Sequence, residues 1–437
     1  VLQPRLAAPR TLAYHRGGSL RLLVATVRSG AAAPGAPERA LNLGLVIDRS
    51  GSMSGEPLAA VRRAAQDVVA RLGPQDRLSL VAFDDEAEVL LDAVPMDDAG
   101  KVAAQERIAA IEPRSCTNLS AGWLLGARCV AGAMGGASAI QSRVILLSDG
   151  HANRGMRDAA SLRSHAEQLR LRGLFTSTVG IGDGYDPALL QSLAEHGGGR
   201  LHDAERPQEI VEVVLGELSD CRATVADDVA LTLTFPSTLR PLLLGVFPQR
   251  PVTLCPPECR AAEVTLGPMT AQSERHAVFR LEQMPGGPVG SALRFELGVT
   301  WRGEDGATRS ATDPNPVKLE FALGRPTREQ PRDDGLTLIA AQAWQAFVIQ
   351  RVVAAKEGGS LESARRLLQR EIPELARLVL GVPGADRLVA ELRLLEELLP
   401  EQWAARQGID LRVRTMQTLR SQSDHRTSSR GSWGERT

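Results

Sequence analysis

The regular alternation of two kinds of segment between residues 41 and about 220 most constrains the fold of this chain. Short apolar runs with branched side chains alternate there with longer amphipathic segments. The first run, residues 41–47, is followed at 57–72 by a segment whose apolar spacing and early Pro57 predict a helix. Three further apolar runs follow, at 77–83, 143–148 and 174–181. Strands that alternate with helices build a parallel sheet covered by helices, so we predict a doubly wound, Rossmann-like α/β domain over residues 39–220.

Other segments of the same region fit this domain. Residues 87–91 are expected to pair back on the 77–83 strand through the acidic turn of Asp84 and Asp85. Helices are predicted in the intervening segments, and two of them are closed by glycine, as helix C-termini commonly are. One doubly wound domain accounts for all of these elements.

The pattern changes after Cys221, where apolar residues recur at every second position and Pro and Gly turns separate the segments. That period predicts an antiparallel β-sandwich domain, or a small barrel, over residues 221–328. Residues 19–30 are also strand-like but have no helix to join them to the α/β domain. We therefore predict that the N-terminal region 1–38 pairs with the β-sandwich, which makes the α/β domain an insertion. The alternative is an extra edge strand on the α/β sheet.

The C-terminal part of the chain is predicted to be helical and then disordered. Three long segments between 336 and 407 have amphipathic spacing, which predicts an α-helical bundle over residues 329–418 that packs on the β region. Residues 419–437 are polar, rich in Ser and Arg, and almost without apolar side chains, so we expect a disordered tail.

Composition limits the function classes. The formal net charge of the 437 residues is -1. The chain therefore lacks the long-range positive electrostatic field of a typical nucleic-acid binder. The N-terminus has no apolar core of signal-peptide length, and no segment approaches about 18 uninterrupted apolar residues, so we expect a cytoplasmic protein without a membrane span. The five cysteines do not suggest a disulfide framework, and Cys255 and Cys259 have one residue too many between them for a CxxC zinc pair.

Five oxygen-bearing side chains are candidates for one metal site. Asp48 ends the first predicted strand, at the edge of the sheet where ligand sites of open α/β folds collect, and Ser50 and Ser52 follow at a spacing of two. Thr117 stands in a separate loop, and Asp149 ends another interior strand. Hard oxygen ligands favour Mg²⁺ or Mn²⁺ over zinc, and Ca²⁺ is a further candidate. Neutral hydroxyl ligands leave such an ion electrophilic, so a carboxylate of a partner is its natural additional ligand.

Each of these residues also has a plain structural interpretation. Residues 50–55 could be a linker turn, Thr117 could be a helix N-cap, and Asp149 with Gly150 could be a strand-ending turn. Their order along the chain, with each at a predicted strand end or in a loop on the same edge, favours the metal site over three unrelated turns.

The five residues resemble the metal-ion-dependent adhesion site of von Willebrand factor type A domains, and the surrounding segments from about 40 to 220 are similar to bacterial, intracellular members of that family. The resemblance implies that Ser50, Ser52 and Thr117 contact the metal directly. It implies that Asp48 and Asp149 hold the metal largely through water. It also implies a protein ligand that presents Asp or Glu, with an AAA+ ATPase or another module of the same system as the kind of partner.

The sequence therefore predicts a metal-dependent protein-binding adaptor without catalytic activity. Two alternatives stay open: a metal-dependent phosphoester hydrolase, and a structural scaffold in which the metal only stiffens loops. The chain has no GxxxxGK[ST] phosphate loop and no GxSxG nucleophile elbow, and the glycines of residues 180–185 make only a weak dinucleotide pattern. His151 stands in a motif loop, where we expect it at the rim of the metal face.

Overall fold

The structure is a computed structural model. It describes residues 1–31, 39–114, 116–134, 140–149, 155–156, 158–182, 184–204, 206–245, 253–254, 260–282, 284–303, 305–399 and 410–411. The predicted tail at 419–437, His151, and the cysteines at 255 and 259 lie outside these residues.

The described residues form strands and helices in the following order. The strands are β1 (Leu2–Ala7), β2 (Leu12–Tyr14), β3 (Arg21–Ser29), β4 (Ala40–Asp48), β5 (Arg77–Phe83), β6 (Ala87–Pro95), β7 (Ile140–Ser148), β8 (Leu174–Ile181), β9 (Gly198–Ala204), β10 (Thr224–Thr234), β11 (Leu242–Gly245), β12 (Thr253–Leu254), β13 (Ala261–Thr270), β14 (Glu274–Leu281), β15 (Ala292–Arg302), β16 (Thr308–Thr312) and β17 (Val317–Ala322). The helices are α1 (Glu56–Arg71), α2 (Asp98–Ala109), α3 (Leu119–Gly132), α4 (Ala159–Leu171), α5 (Pro187–His196), α6 (Pro207–Arg222), α7 (Gly324–Glu329), α8 (Asp334–Glu357), α9 (Leu361–Val379) and α10 (Asp386–Leu398).

The chain forms two compact units. The α/β unit contains Ala32–Asp227 together with Gly303–Ala307. The β/helical unit contains Val1–Ala31, Asp228–Arg302 and Thr308–Thr437. The sequence predicts separate β and helical domains, whereas the described strands and helices of that part belong to one unit.

A six-stranded sheet in the order β6-β5-β4-β7-β8-β9 is the centre of the α/β unit. Its neighbouring strands are parallel, except that β6 pairs antiparallel with β5. The doubly wound α/β fold and the predicted hairpin are both confirmed. Alternate residues of β4 face a core that includes residues of α1, α2 and α6, and these β4 residues are at most 2% exposed: Leu41, Leu43, Leu45 and Ile47.

The register of the sheet places several strand ends at one edge. Asp48 of β4 lies opposite Phe83 of β5, and Ile47 lies opposite Leu147 of β7. The residues that follow these strands therefore leave the sheet side by side. This carboxyl edge is where the candidate site lies.

Two further sheets and the C-terminal helices form the β/helical unit. One sheet has the order β1-β3-β14-β11, and the other has the order β12-β13-β10-β15-β17-β2, with β16 paired to β15. Residues 19–30 thus contribute β3, which pairs antiparallel with β14 and not with the six-stranded sheet. The expectation of purely antiparallel pairing is wrong at one place, because β17 and β2 are parallel. They are far apart in the chain, so no short hairpin dictates their direction.

Among the described helices, α8 is long and apolar enough to cross a membrane by length and composition alone. However, 61% of the window that passes this test is buried in the structure. Within its own unit, α8 packs against α9 and against β11 and β3, and Trp344 is 1% exposed. Buried core helices pass the same composition test, and α8 has the burial of such a helix.

Candidate metal centre

Asp48 begins the candidate site. It is the last residue of β4 and is fully buried. Its Oδ1 accepts a hydrogen bond from the backbone N–H of Ser50 at 2.9 Å. This bond turns the chain back toward the carboxylate as it leaves the strand, so Ser50, which is 1% exposed, stays beside Asp48.

Ser50 and Ser52 lie on a short 3-10 turn at Gly51–Met53. Their Oγ atoms are 3.1 Å apart. Met53 anchors the turn, because its side chain is fully buried and its backbone N–H donates to the Ser50 carbonyl at 3.0 Å. Ser52 itself is exposed, so its hydroxyl is reachable from solvent, whereas Ser50 is buried beside it.

Thr117 is 2% exposed and stands two residues before the start of α3 at Leu119. The N-cap of that helix is Asn118, whose side chain accepts from the Ala121 N–H at 3.2 Å, so the cap role considered for Thr117 belongs to its neighbour. The start of α3 lies close to β5 because Gly122 has no side chain: a Cβ there would be 2.4 Å from Cγ of Phe83. Glycine at this position therefore allows the Thr117 loop to reach the carboxyl edge.

Asp149 follows the last residue of β7 and is 8% exposed. Its Oδ1 is buried and has no hydrogen-bond partner among the described residues. Its charge lies near enough to Asp48 to contribute to the raised pKa of that residue. A buried carboxylate oxygen without a donor is costly, and such an atom usually indicates a missing partner.

Ser148 is a residue of the candidate site that the sequence analysis did not single out. It is fully buried at the end of β7, and its hydroxyl donates to Oδ2 of Asp48 at 2.5 Å. Together with the Ser50 N–H, it fixes both carboxylate oxygens of Asp48. The serine immediately before a strand-ending aspartate was the available signal, but a buried serine in a strand has no distinctive pattern.

The electrostatics of the site favour a cation. Burial raises the pKa of Asp48 to about 6, against the opposing hydrogen bonds from Ser148 and Ser50, and the Asp149 charge adds to the rise. Within the described part of the chain, neither Asp48 nor Asp149 pairs with a basic side chain. Two neighbouring buried carboxylates without a counter-charge repel each other, and a bound cation would relieve that repulsion.

The donor set fits a hard divalent cation. The described residues contain no group of three or more His, Cys, Asp or Glu side chains that could hold a metal ion. The oxygens at the carboxyl edge come instead from two carboxylates and from Ser and Thr hydroxyls, which suit Mg²⁺ or Mn²⁺ better than zinc. Asp48 ends β4, Ser50 and Ser52 lie in the loop after it, and Asp149 follows β7. Thr117 lies in the loop between α2 and α3, and its neighbour Asn118 ties that loop to this edge, because the Asn118 N–H donates to the carbonyl of Asp84 at 2.6 Å.

Comparison with known proteins agrees with this architecture. Residues 42–214 match the family model of the von Willebrand factor type A domain. The chain is 27% identical to the Synechocystis sp. protein sll0103 over 316 residues. The aligned region covers 67% of this chain and 68% of that protein. It is 28% identical to Escherichia coli YfbK over 199 residues, which cover 45% of this chain and about a third of YfbK (34%).

A solved structure extends the likeness beyond this domain. The von Willebrand factor type A protein from Catenulispora acidiphila matches with a TM-score of 0.70 and 20% sequence identity, covering 96% of this chain and 97% of that one. At this identity the match shows the fold alone, but it covers both units. Residues 42–214 of this chain therefore form a von Willebrand factor type A domain.

Proposed function

We propose that the carboxyl edge of the α/β unit binds Mg²⁺ or Mn²⁺ and that the chain is a metal-dependent protein-binding adaptor. One observation carries this proposal: Oδ1 of Asp149 is buried without a hydrogen-bond partner among the described residues, beside the second buried carboxylate of Asp48. Such an arrangement does not serve the stability of the fold, because an unpaired buried charge destabilises the folded state.

Ser50, Ser52 and Thr117 would contribute hydroxyl oxygens, and Asp48 and Asp149 would contribute the negative charge. A divalent cation held by neutral hydroxyls supplies an electrophilic position for a carboxylate oxygen. The exposure of Ser52 supports access from solvent, because a partner can reach the edge without any rearrangement of the core. The proposed ligand is therefore an Asp or Glu side chain on the surface of another protein.

We propose binding without catalysis. The described ligand loops carry no His or Lys side chain that could act as a general acid or base. Arg49 is the basic residue between Asp48 and Ser50, and a guanidinium stays protonated. The resemblance of the motif suggests an AAA+ ATPase or another module of the same system as the partner. For the β/helical unit we propose a β-sandwich with an attached helical bundle as a second docking surface.

Calorimetric titration with Mg²⁺ tests the metal site directly. The native chain should bind one Mg²⁺, and Asp149→Asn should bind none at the same concentrations. The matched control is Asp97→Asn, which also removes one carboxylate, but from the N-cap of α2 after β6. Equal binding by the native chain and Asp149→Asn, or no binding by either, would overturn the proposed site.

A second experiment tests the carboxylate ligand. Water-proton relaxation is measured on the Mn²⁺-loaded chain while acetate is added, with chloride at equal ionic strength as the control. Acetate should lower the relaxation enhancement because it displaces metal-bound water. If acetate has no more effect than chloride, while Mn²⁺ still raises the unfolding temperature, the metal stiffens loops and the scaffold alternative holds.

A further inference from the structure

One buried ion pair joins the first ligand loop to the turn between β5 and β6. Nε of Arg49 donates to Oδ2 of Asp84 at 2.7 Å, and each side chain is 6% exposed. Arg49 stands between Asp48 and Ser50 in the first ligand loop. Asp84 follows β5 and belongs to the turn that leads into β6.

Backbone hydrogen bonds extend this connection to the loop of Thr117. The N–H of Arg49 donates to the Phe83 carbonyl at 2.8 Å, and the carbonyl of Arg49 accepts from the Arg114 N–H at 2.7 Å. The carbonyl of Asp84 accepts from the Asn118 N–H at 2.6 Å. Arg49 and Asp84 therefore hold the two ends of the segment 114–118, in which Thr117 lies.

The turn around Asp84 is itself fixed by local bonds. Oδ1 of Asp84 accepts from the Glu86 N–H at 3.2 Å, and the Asp84 N–H donates to the Glu86 carbonyl at 2.9 Å. One carboxylate thus shapes its own turn with one oxygen and holds Arg49 with the other. Neutralising it would loosen both connections at once.

The neighbouring charges are more exposed. Nη2 of Arg49 lies 3.0 Å from Oε2 of Glu88, and the Glu88 side chain is 51% exposed. Nη1 of Arg114 lies 3.8 Å from Oδ2 of Asp84, and the Arg114 side chain is 56% exposed. Exposed ion pairs typically contribute little, so the Arg49–Asp84 pair dominates this cluster.

We propose that Asp84 and Arg49 are positioning residues of the metal site: their ion pair sets the position of the Asp48–Ser52 loop relative to Thr117. Neither side chain needs to contact the metal for this role. The inference rests on the proposed metal-binding function. Residues that orient metal ligands typically change metal affinity about 10- to 100-fold when they are replaced.

The test compares Asp84→Asn with Glu217→Gln. Both changes neutralise a buried carboxylate paired with an arginine in the α/β unit, but Glu217 pairs with Arg143 and lies in α6, away from the ligand loops. For each variant, the Kd for Mg²⁺ is measured by calorimetry and the free energy of unfolding by urea titration in chelator. We expect Asp84→Asn to weaken Mg²⁺ binding by about 10- to 100-fold. Glu217→Gln should keep the native Kd although it also loses stability.

Arg49→Lys is the second variant, because lysine keeps the charge but loses the Nε–H that bonds Asp84. It should weaken Mg²⁺ binding less than Asp84→Asn while retaining more stability. If the native chain binds Mg²⁺ and Asp84→Asn binds with the native Kd, the positioning role is wrong and the proposed function stands. The inference is also wrong if Glu217→Gln weakens binding as much as Asp84→Asn, because general destabilisation then explains both. Absence of binding by the native chain overturns the proposed function itself.

Discussion

Two groups of buried carboxylates in the α/β unit differ in what surrounds them. Glu217 of α6 has a fully buried side chain that forms an ion pair with Arg143. It also accepts a hydrogen bond from the Ser177 hydroxyl, and its Oε2 lies 2.8 Å from Nε2 of His202. Asp48 and Asp149 are also buried, but among the described residues neither pairs with a basic side chain: Asp48 accepts from the Ser148 hydroxyl and the Ser50 N–H, and Oδ1 of Asp149 has no partner. The first group carries its counter-charge within the chain, and the second does not.

We interpret this difference as a structural role for Glu217 and the proposed cation-binding role for Asp48 and Asp149. A buried carboxylate that is paired within the chain completes the fold, and removing one partner costs stability. A buried carboxylate pair without an internal cation is relieved by protonation or, as we propose here, by a cation from solution. Arg143, which pairs with Glu217, and Ser148, which donates to Asp48, are on the same strand, five residues and about 16 Å apart. Residues of one strand therefore contact both groups of carboxylates.

The largest expected effect is on the paired group. Glu217→Ala should lower the free energy of unfolding by about 3–5 kcal/mol, because it leaves the Arg143 charge buried without its partner. Urea unfolding in chelator measures this change. A loss below about 1 kcal/mol would mean that solvent compensates Arg143 and that the two groups are not as different as their contacts indicate.

The next effect is stabilisation by the metal. At a Mg²⁺ concentration of 100 times Kd, the free energy of unfolding of the native chain should rise by about 2.7 kcal/mol, because Mg²⁺ binds the folded state. Asp149→Asn should show no rise, and Glu217→Gln should show the full rise from a lower starting value. Thermal unfolding with and without Mg²⁺ provides the comparison, and equal rises in all three proteins would contradict it.

The two groups should also respond to pH with opposite signs. Burial alone would raise the pKa of Glu217, but the Arg143 guanidinium and His202 hold that pKa well below the usual 4.5. Its contribution to stability is therefore present above about pH 4.5 and is lost as the pH falls further. Burial instead raises the pKa of Asp48 from 3.8 to about 6. In the metal-free chain its contribution is present below pH 3.8 and is lost as the pH rises through 6.

Urea unfolding in chelator between pH 4 and pH 7.5 measures both contributions. Asp48→Asn should be more stable than the native chain above about pH 6, and this advantage should shrink toward pH 4. Glu217→Gln should be less stable than the native chain at neutral pH, with a smaller difference in acid. The same sign for both variants at neutral pH would contradict the contrast between the two groups.

The smallest expected effect concerns Ser148. Ser148→Ala removes the donor to Oδ2 of Asp48, and a hydrogen bond to a charged group is worth about 1.5–3 kcal/mol, so Mg²⁺ binding should weaken roughly tenfold or more. The control is Ser79→Ala, which removes another buried serine hydroxyl that accepts from the Ala93 N–H. Calorimetry should give the native Kd for Mg²⁺ with Ser79→Ala. The native Kd with Ser148→Ala would contradict this prediction, because Asp48 would then keep its position without the Ser148 hydroxyl.

Much of the site could be predicted from the sequence because four of the five ligand candidates, all except Thr117, end or follow a recognisable strand. Asp48 and Asp149 come directly after apolar runs, and parallel strands end at a common edge. The Arg49–Asp84 pair could not be predicted in this way. It depends on the register that sets Asp48 opposite Phe83, and register is a property of the folded sheet.

The fold was least predictable where strands are short or polar. The sequence analysis did not identify β1, β2, β12, β16 or β17. Pro4 lies within β1 and breaks the usual strand pattern, although proline is tolerated on an edge strand such as this one. The five residues of β16 include no large apolar side chain, so they lack the alternation that identified its neighbours. The pairing of β2 with β17 joins residues about 300 positions apart, which no local pattern encodes.

The most direct test of the central claim is to count bound Mn²⁺ by electron paramagnetic resonance of the free ion. The native chain, Asp149→Asn and Glu217→Gln are each titrated with Mn²⁺ at equal protein concentration. The account predicts one bound Mn²⁺ per chain for the native protein and for Glu217→Gln, and none for Asp149→Asn. Free Mn²⁺ that rises identically in all three titrations would contradict it, because the buried carboxylates at the carboxyl edge would then not form a cation site.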